Sequence, residues 1–194
     1  MKSLAVFCGS SEGKDSSFKD CATEVGKRMA LDDIVLVYGG AKYGLMGAVA
    51  DAVLNNNGKV IGILPHFLRN KEVAHERLSE LILVDTMHER KAEMYFLSDG
   101  IMVLPGGFGT MDELFEVITW GQLGLHKKPI VILNLNGFYG KLIDLIQAMQ
   151  DSGFVKENFS DTFRIANSVT EAFSILENFN RIENETSNMK RENI

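Results

Sequence analysis

A doubly wound α/β fold, in which helices cover both faces of a parallel sheet, is predicted by three observations. Short runs rich in Val, Ile and Leu are nearly continuous rather than alternating, as in strands buried on both faces. These runs alternate with stretches of helical period, which implies right-handed crossovers. Glycine-rich turns follow the first, second and fifth runs, and in open parallel sheets ligands bind beyond such carboxyl ends.

Leu4–Cys8 reads as the first strand and leads into Gly9-Ser10-Ser11, with a helix expected over Ser16–Leu31. Ile34–Tyr38 is the second strand; it ends at Gly39-Gly40, and a helix is expected over Leu45–Asn55. Val60–Leu64 precedes a polar loop over Pro65–Glu80, and Leu81–Val84 follows. A helix over Met87–Leu97 leads to Ile101–Leu104, which runs into Pro105-Gly106-Gly107. A longer helix over Thr110–Leu123, a strand Ile130–Leu133 and a helix over Tyr139–Gln150 come next. Phe163–Ala166 and a helix over Thr170–Phe179 close the series. From Arg181 apolar residues become rare, so 1–180 reads as one domain and 181–194 as a polar, disordered tail.

Composition narrows the ligand. The chain has 194 residues, 45% hydrophobic and 24% charged, which is ordinary for a soluble globular protein. With 20 Lys+Arg against 26 Asp+Glu, the net charge of −6 argues against nucleic acid as a partner. The apolar run at the N-terminus is too short for a signal-peptide core or a membrane span, so no membrane partner and a cytoplasmic location are expected. Cys8 and Cys21 form no CxxC and read as buried, inert thiols. The four histidines lack metal-ligand spacing: Ala92 stands where HExxH would need its second His. Neither a metal nor a cofactor is expected.

The turn Gly39-Gly40-Ala41-Lys42-Tyr43-Gly44-Leu45-Met46-Gly47 fits neither GxGxxG nor a Walker loop. Pro105-Gly106-Gly107-Phe108-Gly109-Thr110 is sharper. Its glycines leave backbone amides uncovered at a helix start, where the partial positive charge suits a phosphate. No Lys follows to grip a triphosphate, so a single phosphate fits better. Two roles stay open for Glu113: the last residue of a Thr110-x-x-Glu113 capping box, or a carboxylate one turn beyond a bound phosphate. Arg90 and Lys91 near another helix start read either as a solvated face paired with Glu89 and Glu93 or as cations awaiting an anion. Trp120 reads as core or interface packing.

Together these segments resemble the LONELY GUY family of cytokinin-activating phosphoribohydrolases, whose members were long labelled possible lysine decarboxylases. The resemblance rests on Phe7-Cys8-Gly9-Ser10-Ser11, Tyr38-Gly39-Gly40 through Gly44-Leu45-Met46-Gly47, and Met87-His88-Glu89-Arg90-Lys91-Ala92. It continues through Pro105-Gly106-Gly107-Phe108-Gly109-Thr110-x-x-Glu113, Thr119-Trp120-x-Gln122-Leu123-Gly124 and His126-Lys127-Lys128-Pro129. It implies a Rossmann-like fold, a homodimer or higher homo-oligomer with sites near the subunit contact, and cleavage of a nucleoside 5′-monophosphate to free base and ribose 5-phosphate. The implied substrate is AMP or an N6-modified AMP such as a cytokinin ribotide. By the same resemblance Arg90 and Glu113 match the catalytic pair, Gly107 to Thr110 the phosphate loop, and Lys91 a ligand contact. Glu72 and Thr119 match further substrate contacts, and Gly9, Ser10, Gly40 and Gly106 complete the candidate binding set. Ala41 replaces a usual family glycine, and the tail after Phe179 has no family counterpart.

The expected chemistry passes through an oxocarbenium-like state that Glu113 stabilises, or for which it takes a proton from water. Arg90 orients the nucleotide. The alternatives are a nucleotide-binding regulatory module without turnover and a structural oligomer whose glycines serve only turns. Decarboxylation of lysine is disfavoured on chemistry, since no lysine is singled out as a pyridoxal Schiff base.

Overall fold

The structure, a computed structural model, describes residues 1–69, 74–155 and 162–179. Seven parallel strands form the sheet: β1 (Ser3–Phe7), β2 (Val35–Tyr38), β3 (Val60–Pro65), β4 (Glu80–Val84), β5 (Gly100–Val103), β6 (Ile130–Leu133) and β7 (Arg164–Ala166). Their order is β4-β3-β2-β1-β5-β6-β7, so the winding reverses between β1 and β5. The crossovers carry α1 (Ser17–Leu31), α2 (Gly44–Asn55), α3 (Met87–Phe96), α4 (Phe108–Gln122) and α5 (Gly140–Asp151), and α6 covers 169–179.

Alternate residues of each central strand feed opposite cores. Leu4 and Val6 join Leu36, Val25, Val49 and Phe173 on the α1, α2 and α6 face. Ala5 and Phe7 join Val37, Met94, Leu114 and Ile146 on the α3, α4 and α5 face. Both faces of β1 are therefore apolar, which is why its sequence does not alternate. Every predicted strand and helix is present with ends shifted by one or two residues. The shift that matters lies at α4, which starts at Phe108 rather than Thr110 and so takes Gly109 into its first turn.

Register places the turns. Phe7 pairs with Val103, and Ala5 with both Ile101 and Val37, so the exits of β1, β2 and β5 lie side by side. The Gly9 amide donates to the Pro105 carbonyl at 3.0 Å, tying two of the three glycine turns together at the reversal point. Glu72 and the tail 181–194 lie outside the described residues.

Candidate active site

A cleft of about 150 Å³ opens where these turns meet. Its floor is Val6, Cys8 and Met46; Ser10 and Gly39 form one rim, and Gly107, Phe108, Gly109 and Thr110 the other. Arg90 and Glu113 complete the lining. Gly9 and Gly106 line a neighbouring hollow that shares Ser10 and Gly107 with the cleft.

The α4 rim is built to expose backbone. Its N-cap is Gly107, which makes no side-chain capping bond, and Phe108, Gly109 and Thr110 are the first three helical residues. Such first-turn amides have no partner inside the helix. Side chains placed at Gly107 or Gly109 would meet no atom within 4 Å, so both backbones face open space. Because Thr110 is already the third helical residue, Thr110-x-x-Glu113 is not a capping box. Glu113 sits inside the first two turns of α4 and faces the cleft.

The capping box lies elsewhere. Thr86 caps α3, its hydroxyl accepting from the Glu89 amide at 3.1 Å while Glu89 reaches back to the Thr86 amide at 3.3 Å. This sets the phase of α3 and turns Arg90 and Lys91 inward, with only 5% and 8% exposure. The solvated-face reading of this pair is thereby excluded. Lys91 pairs with Asp112 at 3.0 Å and Glu116 at 3.1 Å on α4, not with Glu89 and Glu93. Burial alone would lower the Lys91 pKa, but hydrogen bonds to Asp112 and Glu116 outweigh it and hold the ammonium above its ordinary value. The bridge locks α3 to α4 and so fixes Arg90 relative to Glu113.

The Arg90 guanidinium reaches β2's exit, its Nη2 donating to the Gly39 carbonyl at 3.0 Å. A Cβ at residue 39 would collide with that guanidinium, so any larger residue there would have to displace it. The Arg90 Nε is buried and has no partner among the described residues. Cys8, at the floor, has its thiol pKa pushed far up, first by burial and then by the nearby Glu113 carboxylate, so it is no nucleophile at neutral pH.

Three candidate residues sit apart from the cleft. The Gly40 carbonyl turns away to accept from the His75 amide, while its neighbour Gly39 faces the cleft. Lys91 is held in its ion pairs beside the site. Thr119 lies nine residues beyond Thr110 on α4, exposed, its hydroxyl bonded to the Phe115 carbonyl at 2.7 Å. Trp120 is half-buried, edge-on to Tyr95 with ring centroids 5.2 Å apart. Among the described residues no group of three or more His, Cys, Asp or Glu could hold a metal ion.

The family model described as possible lysine decarboxylase matches residues 46–176. A cytokinin riboside 5′-monophosphate phosphoribohydrolase of Arabidopsis thaliana is 44% identical over 176 residues, covering 91% of this chain and 82% of the relative. A second from the same plant is 45% identical, covering 91% and 77%. A probable enzyme of the same description from Oryza sativa subsp. japonica is 47% identical over 160 residues, covering 82% and 70%. Among solved structures, the molybdenum cofactor carrier protein from Chlamydomonas reinhardtii superposes with a TM-score of 0.70 at 19% identity, over 91% of this chain and 96% of that one. The molybdenum cofactor binding protein from Rippkaea orientalis gives 0.68 at 20% identity, over 91% and 95%. At these identities the two structures share the fold.

Proposed function

Because the chain belongs to the family of these phosphoribohydrolases, the one whose model is described as possible lysine decarboxylase, we propose that it hydrolyses the N-glycosidic bond of a nucleoside 5′-monophosphate. The products are a free base and ribose 5-phosphate. AMP and N6-modified AMP are the proposed substrates, the second because the relatives are named for cytokinin ribotides.

One observation carries this reading. A buried guanidinium with an unpaired Nε faces a cleft whose opposite wall is an uncapped helix start bearing a carboxylate. A buried polar atom without a partner costs about 1–3 kcal/mol, a cost that a bound ligand relieves. The amides of Phe108, Gly109 and Thr110 hold the phosphate through the positive end of α4. That anchoring sets the ribose beside Glu113, less than two turns along the same helix. Water attacks C1′ as the C1′–N bond breaks. Glu113 stabilises the positive charge developing on the sugar and takes the water proton, which passes on to the departing base nitrogen and leaves the carboxylate ionised for the next turnover. Arg90 fixes the nucleotide against Gly39 and offsets developing negative charge.

Exposed Phe96 on α3, Phe115 on α4, and Leu123 and Leu125 beyond it suit a homodimer contact. Thr119 lies on this part of α4 and would serve a cleft across that contact. Cys8 and Cys21 are both free, which fits a reducing cytoplasm. No described helix is long and apolar enough to cross a membrane.

Incubation with AMP and with isopentenyl-AMP, read by chromatography, tests the reading. Free base and ribose 5-phosphate in equal amounts are expected. Tight nucleotide binding without base release would instead make the protein a nucleotide-binding module.

A further inference from the structure

The turn that receives Arg90 is held from behind by residues that never touch the cleft. Gly40 has a φ of 79°, a conformation open to glycine, and its carbonyl accepts from the His75 amide at 3.1 Å. Ala41 makes an isolated antiparallel bridge with Ala74, and the Tyr38 hydroxyl donates to the Ala41 carbonyl at 3.2 Å. His75 is only 5% exposed, and its ring is fixed on both sides. Nδ1 accepts from the Arg77 amide at 3.2 Å, so the proton sits on Nε2, which donates to Asp51 Oδ1 at 3.2 Å. The same Asp51 oxygen accepts from Arg77 Nη2, while Arg77 Nη1 donates to Asn55 at 3.2 Å. Asp51 and Asn55 stand on α2, so one helix clamps the segment 74–77, and that segment clamps Gly40.

From this chain of contacts we propose that Asp51 and His75 are positioning residues for Arg90. They fix the Gly39 carbonyl, the one backbone acceptor of the Arg90 guanidinium among the described residues. The inference rests on the proposed role of Arg90 in turnover. None of Asp51, His75 and Arg77 lines the cleft, so they act on it only through the Gly39-Gly40 turn. The brace works by geometry: a carbonyl displaced by a fraction of an ångström turns the planar guanidinium, and a misplacement of about 1 Å can cost about 10²-fold in rate.

Asp51 offers a clean test because it is a half-exposed residue inside α2, where alanine is the best helix former. Asp51→Ala removes both acceptor bonds; Asp51→Asn keeps an oxygen acceptor in place. Turnover of AMP and NMR exchange of the residue-75 amide are measured on both variants and wild type. Asp51→Ala is expected to lower kcat about tenfold, with KM within twofold and faster exchange at residue 75. Asp51→Asn should restore both kcat and exchange. An unchanged kcat in Asp51→Ala overturns the brace whatever the exchange rate, and so does an equal loss in Asp51→Asn. If wild type releases no base, the functional reading fails. The positioning role falls with it, and the exchange rate then reads only the clamp of α2 on segment 74–77.

Discussion

Replacing Glu113 by Gln is expected to slow base release by about 10³-fold while nucleotide affinity stays within a few-fold of wild type. The substitution keeps shape and hydrogen-bonding capacity but removes the charge that stabilises a cationic sugar and the base that accepts the water proton. In the proposed binding mode the phosphate sits on the amides of residues 108–110 rather than on this side chain, so nucleotide binding is expected to survive. The geometry of α4 sharpens the test. A capping Glu would lower stability when replaced, by about 0.5–2 kcal/mol, and would leave chemistry alone. With Gly107 as the N-cap, Glu113 has no such duty. The expected variant is therefore fully folded, binds AMP in calorimetry, and releases almost no base under conditions where wild type turns over.

Arg90→Lys carries the second large effect. It keeps a positive charge near the cleft but loses the planar fork that lies on the Gly39 carbonyl and the Nε that awaits a partner. Arginine and lysine are not interchangeable where the fork sets geometry. A fall of about 10²-fold in kcat/KM is expected, on the scale of removing one oriented transition-state donor. Steady-state kinetics with AMP measures it, and thermal melting of the same sample checks that the fold is intact. A kcat/KM within threefold of wild type would mean that charge alone suffices and that the orientation against Gly39 is unimportant.

The sheet and its glycine exits were legible because β1, β2 and β5 are apolar on both faces and end at glycines, both local patterns. The exposed helix start was equally legible, since the glycines of Gly106-Gly107-Phe108-Gly109-Thr110 mark it locally. The place of Glu113 in the cleft lining was not. Local spacing makes Thr110-x-x-Glu113 a fair capping box, and only the start of α4 at Phe108 removes that reading. Arg90 and Lys91 were ambiguous for a different reason. Their environment is set by Asp112 and Glu116 from another helix and by Gly39 from the turn after β2, which no local pattern announces. The true capping box at Thr86, three residues before Glu89, was the local signal that could have fixed the phase of α3. The brace through Asp51, His75 and Arg77 left no sequence trace, because its contacts join α2 to a loop 24 residues later. Thr119 and Gly40 show the converse: a family match marks a position, while its place relative to the cleft follows from packing.

Whether the glycosidic bond is cut in this cleft is most directly tested by a crystal structure of the wild-type protein grown with AMP. The expected density is ribose 5-phosphate, its phosphate on the amides of Phe108, Gly109 and Thr110 and its C1′ beside Glu113, with Arg90 Nε facing the ligand. An intact nucleotide whose phosphate lies elsewhere, or whose glycosidic bond is beyond reach of both Glu113 and Arg90, would contradict the account.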